Sequence, residues 1–113
     1  MTERKYIAIS IKHTAYRWKY GMPCTLWGWH RTADEEKRCY GGYTMYLSKA
    51  ELYNGADICK VYGEDIVKPE PVPMSADLCK RWKNFDTVLV LESDYLRYCH
   101  QNYLATEPPK GVE

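Results

Sequence analysis

Phenylalanine is nearly missing from this chain: its 113 residues hold one Phe beside eleven Tyr and four Trp. Net charge is missing too, since 16 Lys and Arg face 15 Asp and Glu. That balance excludes a uniformly basic nucleic-acid binder, whose affinity rests on many phosphate contacts. No apolar run approaches the ~20 residues that span a bilayer. The start Met1-Thr2-Glu3-Arg4-Lys5 also lacks a secretory signal pattern. The expectation is a cytoplasmic protein with no membrane partner. Cysteine comes in an odd number, at 24, 39, 59, 79 and 99, without C-x-x-C or C-x-x-H spacing. A disulfide framework and a structural zinc site therefore lack their signatures. Each Cys reads first as a small buried hydrophobe. The rhythm of the last four is not a repeat, because Ala56-Asp57-Ile58-Cys59-Lys60 and Ala76-Asp77-Leu78-Cys79-Lys80 have unlike flanks. No Gly-rich phosphate loop, G-x-S-x-G or H-E-x-x-H occurs, so no cofactor is expected.

What is present starts with alternation. Residues 5–13 put Ile7, Ile9 and Ile11 on one side and Tyr6, Ala8, Ser10 and Lys12 on the other, which predicts a strand. Residues 14–23 read as a loop, 25–32 as a second strand, and 38–46 as a third with a bulge at Gly41-Gly42. Ser48 and Glu51, staggered by three, predict a capping box that opens a helix. Pro69, Pro71 and Pro73 force an extended path that excludes helix and central strand. Ser75 starts a helix with Leu78, Trp82 and Phe85 inward, and Ser93 another with Leu96, Cys99 and Tyr103 as its stripe. Between them Asp86–Leu91 reads as a strand buried on both faces. The fold class is α+β: one domain over 1–105, with a mainly antiparallel sheet of about four strands and about three helices on one face. Residues 1–46 form its basic aromatic strand region, 47–105 its helices with the buried strand at 86–92, and 106–113 a tail.

Neutrality of the whole hides a polarity. Residues 1–46 hold eight Lys or Arg against four Asp or Glu, a balance of +4; residues 47–113 hold eight against eleven, a balance of −3. Nine of the sixteen aromatics lie in the first segment. Within it Lys12, His13, Tyr16, Arg17, Trp18, Lys19 and Tyr20 interleave cations with rings. Such a run suits a protein partner, since Trp, Tyr and Arg dominate interface hot spots. It also suits a nucleotide or single strand, whose bases stack on rings while phosphates meet cations. The bland alternative is a surface loop packed over the sheet edge. Trp27, Trp29 and Arg31 at period two form the second candidate, a stacking platform with cationic support. For catalysis the candidates are His30 with Asp34 or Glu36, a base with an orienting carboxylate. A metal between His13 and His30 lacks a third ligand, Cys24 and Cys39 lack an activating partner, and none of these sites is assigned. An unsealed edge at the first strand admits a homo-oligomer.

Lys5–His13, the Leu26-Trp27-Gly28…Asp34-Glu35-Glu36-Lys37-Arg38-Cys39 hairpin and Asp86-Thr87-Val88-Leu89-Val90 resemble segments of small orphan proteins of phages of Gram-positive bacteria. The resemblance covers roughly a third of the chain and transfers no site residue. It implies an inhibitor of a host defence system that masks a protein surface or sequesters a nucleotide. The leading expectation is a non-enzymatic binding protein that masks a protein partner, such as a host defence component, through its basic aromatic N-terminal sheet. The alternatives are a nucleotide-sequestering sponge and a small hydrolase or nuclease built on His30.

Overall fold

Alternation decides the centre of the fold. The structure, a computed structural model, describes residues 4–17, 24–33, 37–62 and 66–108, apart from the side chains of 15–17 and 61–62. Strand β1 (Tyr6–Ser10) lies antiparallel to β5 (Thr87–Leu91), with Ile7 opposite Val90, Ala8 opposite Leu89 and Ile9 opposite Val88. Period two sends Ile7, Ile9, Val88 and Val90 into one core and Ala8 and Leu89 into another. All six are fully buried. The larger aliphatic side chains contribute roughly 1.5–3 kcal/mol each on leaving water.

Around this pair the order is β3-β2-β1-β5-β4, with β2 at Thr25–Trp27, β3 at Tyr43–Thr44 and β4 at Val67–Pro71. Strand β4 runs parallel to β5, and the other pairings are antiparallel. The domain is thus α+β with a five-stranded mixed sheet, one strand more than expected. The extra strand is the proline segment. Pro69 and Pro71 lack an N–H, which an edge strand tolerates and a central one does not, and the ladder shifts register between Lys68 and Pro71. Strand β1 is interior, paired on both sides, so the expected open edge for a homo-oligomer does not lie there.

Among the described residues four helices, not three, cover the sheet on both faces. Helix α1 (Ile11–Arg17) takes the place of the predicted strand end and loop. Ser10 stops the strand: its Oγ accepts the His13 N–H at 3.3 Å, an N-terminal cap the alternation concealed because Ile11 is buried either way. Thr14 donates to the Ser10 carbonyl at 2.7 Å and accepts the Thr25 N–H at 2.9 Å, which ties α1 to β2. Residues 47–49, where a helix was expected to open, make only a single 3₁₀ turn. The working capping box lies later, where Asn54 Oδ1 accepts the Asp57 N–H at 2.9 Å and Asp57 Oδ2 accepts the Asn54 N–H at 3.0 Å. It opens α2 (Gly55–Tyr62), whose Ile58 packs with Ala8, Leu89, Tyr53 and Val67.

Helices α3 (Leu78–Arg81) and α4 (Glu92–Gln101) seal the opposite face with Leu78, Tyr95 and Cys99. Trp82 and Phe85 pack against that core beside Leu78, as their spacing predicts. Helix α4 starts directly from β5 without a side-chain cap at Ser93, and the phase of its buried stripe shifts. Tyr95 and Cys99 are inside, while Leu96 and Tyr103 are exposed. Among the described residues no helix is long and apolar enough to cross a membrane.

Candidate functional site

The β1–α1 junction opens a cleft of about 210 Å³ lined by Ser10, Lys12, His13, Trp27, Ile66, Asp86 and Thr87. Its walls follow from the cap and the sheet register. The Ser10 Oγ that caps α1 also stands 2.8 Å from His13 Nδ1, which fixes the imidazole one turn above the strand end. Trp27 ends β2 and donates its indole N–H to Thr87 Oγ1 at 2.9 Å, so the ring is anchored across the sheet. Its cross-strand partner is Tyr43. The Trp27 and Tyr43 rings meet edge-on, 5.2 Å apart at 76°; His13 meets Trp27 edge-on at 5.6 Å and lies over Tyr43 at 4.5 Å. Such contacts contribute about 0.5–1.5 kcal/mol each beyond burial, so the three rings form a held wall rather than loose side chains. Ile66 leaves exposed apolar surface in the cleft, and Tyr43, packed on His13 and Trp27, is exposed as well. Lys12 and Asp86 place opposite charges on the same cleft.

Of the residues singled out from the sequence, Lys12, His13 and Trp27 come together here. Tyr16 and Arg17 belong to α1, with side chains outside the described residues. Trp18, Lys19, Tyr20, Asp34 and Glu36 lie outside the described residues altogether. Trp27, Trp29 and Arg31 do not continue one strand, because Gly28 takes a left-handed conformation (φ +81°) just after β2. A Cβ at Gly28 would stand 2.5 Å from Glu51 Cβ and 2.6 Å from Tyr53 Oη, so the chain's own interior fills the close approach this glycine allows. Trp29 is 59% exposed and packs on Gly42 and edge-on to His30. Arg31 is a clasp: it pairs with Glu92 at 2.7 Å and donates to the carbonyls of Ala50 and Leu47. His30 is exposed and lines a shallower depression of about 310 Å³ with Thr32, Lys37, Arg38, Cys39, Tyr40 and Gly41.

Glu51 holds that depression in shape. Expected as half of a capping box, it is instead fully buried. It accepts the N–H groups of Thr32, Cys39 and Leu52 at 3.2, 3.0 and 2.9 Å and pairs with Arg38 at 3.2 Å. Sequence reasoning missed this hub, as it missed Ser10, Ile66, Asp86 and Thr87 in the cleft. The signals that could have found two of them are the Ser10-x-x-His13 cap spacing and the need of a half-buried indole N–H for a partner.

The charge polarity of the chain also changes meaning. Arg4 pairs with Asp57, Arg31 with Glu92 and Arg38 with Glu51, each bond joining the basic segment to the acidic one. Part of the +4/−3 split is therefore satisfied inside the fold, and Lys12 and Lys37 are exposed cations of the first segment at the two concavities. Among the described residues no three His, Cys, Asp or Glu side chains are grouped to hold a metal ion. No protein family, curated protein or solved structure matches this chain.

Proposed function

We propose that this protein is a non-enzymatic binding protein that docks on a protein partner, taking one apolar or aromatic side chain of that partner into the His13–Trp27 cleft. The observation that carries the reading is the cluster of His13, Trp27 and Tyr43 rings beside a concavity in which Ile66 is exposed. A volume of about 210 Å³ is below the ~300–1,000 Å³ of small-molecule sites and suits a single side chain. Asp86 opposes a phosphate that Lys12 would attract, which favours a protein partner over a nucleotide. Interfaces place aromatic anchors in such pockets and leave charges at the rim. The resemblance to phage orphan proteins fits a cytoplasmic inhibitor that masks a host defence component.

A second reading, a nucleotide sponge, draws on the His30 depression, where Lys37 and Tyr40 offer a cation and a ring. The hydrolase reading retains His30, with Asp34 and Glu36 as its proposed carboxylates. The test is affinity capture of the partner with the full chain, followed by measured dissociation constants. Ile66→Asp and Lys12→Glu should each weaken binding at least tenfold, about 1.4 kcal/mol. Unchanged affinity in both variants refutes docking at this cleft. A mono-, di- or cyclic nucleotide that raises the melting temperature would favour the sponge.

A further inference from the structure

Backbone bonds set the order of the charges along the His13–Trp27 cleft. Asp86 donates its N–H to the Ile66 carbonyl at 2.8 Å, and its own carbonyl accepts the Ile11 N–H at 2.9 Å. These two bonds seat Asp86 between the entrance of β4 and the first turn of α1, where Lys12 follows Ile11. Ile66, Asp86 and Lys12 therefore line the cleft as backbone neighbours, an apolar group followed by an acid and a base. Asp86 and Lys12 are both exposed. Among the described residues neither side chain makes a hydrogen bond or an ion pair, with the other or with a third group. Lys68, just inside β4, is engaged elsewhere: its ammonium pairs with Glu70 at 2.8 Å and stands 5.6 Å from the Trp82 ring centroid. The contrast is with Arg4, Arg31 and Arg38, whose charges are met inside the fold. Open charges at an exposed rim add little to stability and act instead on the choice and orientation of a partner.

We propose that the partner side chain entering this cleft is flanked, on its own chain, by one acidic and one basic residue. The inference rests on the docking reading above and names the chemistry of the segment that docks. The anchor packs on Ile66 and the ring wall, its acidic neighbour meets Lys12, and its basic neighbour meets Asp86. A segment with two acidic flanks is attracted at Lys12 and repelled at Asp86, and one with two basic flanks meets the reverse. The pair thus selects against both, and it fixes the direction in which a dipolar segment lies.

The experiment titrates the isotope-labelled full chain with capped tripeptides and follows its amide shifts by heteronuclear NMR. The probes are acetylated, amidated Glu-Phe-Lys and Lys-Phe-Glu, the like-charged Glu-Phe-Glu and Lys-Phe-Lys, and Glu-Ala-Lys and Lys-Ala-Glu as controls without an anchor. One of the two dipolar Phe peptides should bind at least about threefold more tightly than either like-charged one, the yield of one exposed ion pair. Concentrated salt should shrink that margin. In Lys12→Glu with Asp86→Lys, two changes at exposed positions, the preference should pass to the dipolar peptide of reversed order. Equal affinity for dipolar and like-charged Phe peptides, or an order preference that the charge swap leaves unchanged, overturns the inference and leaves docking at the cleft intact. Phe peptides that bind no better than their Ala controls refute the docking reading and the inference with it. The wild-type comparison decides even where the variant fails to fold.

Discussion

Removing the Glu51 carboxylate should damage the protein more than any surface change of equal size. In Glu51→Ala the Arg38 side chain, 8% exposed, keeps the Leu52 carbonyl at 3.3 Å but loses the Glu51 carboxylate, and the Thr32, Cys39 and Leu52 amides lose their bonds to it. Breaking a buried ion pair from one side costs about 3–5 kcal/mol. The freed amides would add about 1–3 kcal/mol each if they stayed buried. They sit on a loop that can turn them toward water, so the expected loss stays near 4 kcal/mol. Against a typical total of about 5–15 kcal/mol, that brings the protein close to its unfolding threshold. Glu51→Gln keeps an acceptor without the charge and should cost about 2 kcal/mol. Glu51→Leu with Arg38→Met removes both partners, and the double variant should be less destabilised than the sum of the singles. The assay is urea unfolding followed by circular dichroism, with slopes compared to confirm that the denatured state is unchanged. A loss below about 1 kcal/mol in Glu51→Ala, or strict additivity in the double variant, refutes the hub.

Gly28→Ala must fit a Cβ 2.9 Å from the Cys39 carbonyl and nearer still to Glu51 and Tyr53, in a left-handed backbone. A loss of about 3 kcal/mol is expected, whereas Gly41→Ala, with nothing within 4 Å, should stay within about 0.5 kcal/mol. Tyr103 occupies the left-handed position after α4 (φ +57°), where Leu104 N–H closes on the Cys99 carbonyl at 2.8 Å, and its side chain is 97% exposed. Tyr103→Gly should therefore stabilise by about 1 kcal/mol and raise the melting temperature by about 4 °C; a fall in thermal unfolding experiments would contradict this. Stability should also drop in alkali. Cys99 is pushed by burial from 9.0 up to about 11, and burial likewise raises Tyr95. The unfolded chain releases the Cys99 proton from about pH 9 while the fold retains it, so stability falls by about 1.4 kcal/mol per pH unit until pH 11. The lowered Cys79 acts in the opposite sense, but only below pH 9. A melting temperature that stays flat from pH 8.5 to 10.5 would show the linkage to be wrong.

Sequence pattern alone revealed the sheet's centre and little of its surroundings. Ile7, Ile9 and the run Val88–Leu91 are legible because period two and continuous apolarity depend only on near neighbours. The proline segment was legible as extended and non-central, and edge pairing in β4 is the one strand role that description permits. Helix α1 was hidden because Ile11 continues both the strand alternation and the core of a capped helix. Glu51 was misplaced because Ser48 offers a good local partner, while Thr32, Arg38 and Cys39, 12 to 19 residues away, come from loops without pattern. The cleft suffers the same limit. Trp27 and Thr87 are 60 residues apart, and nothing local says that an indole N–H will find that hydroxyl.

The bonds Arg4–Asp57, Arg31–Glu92 and Arg38–Glu51, which join the two segments, bear on how the chain can be divided. Strands β1, β2 and β3 belong to residues 1–46, and β4 and β5 to the remainder; the β1–β5 ladder is where the two sets meet. A cut after Tyr46 would thus give two fragments of opposite charge, +4 and −3, each lacking the strand that seals its core. Such fragments attract at long range and complete one another at short range, so their reassembly should be fast in dilute buffer and slow in concentrated salt. The charge polarity that looked like an address for a foreign partner is, in part, each half's label for the other.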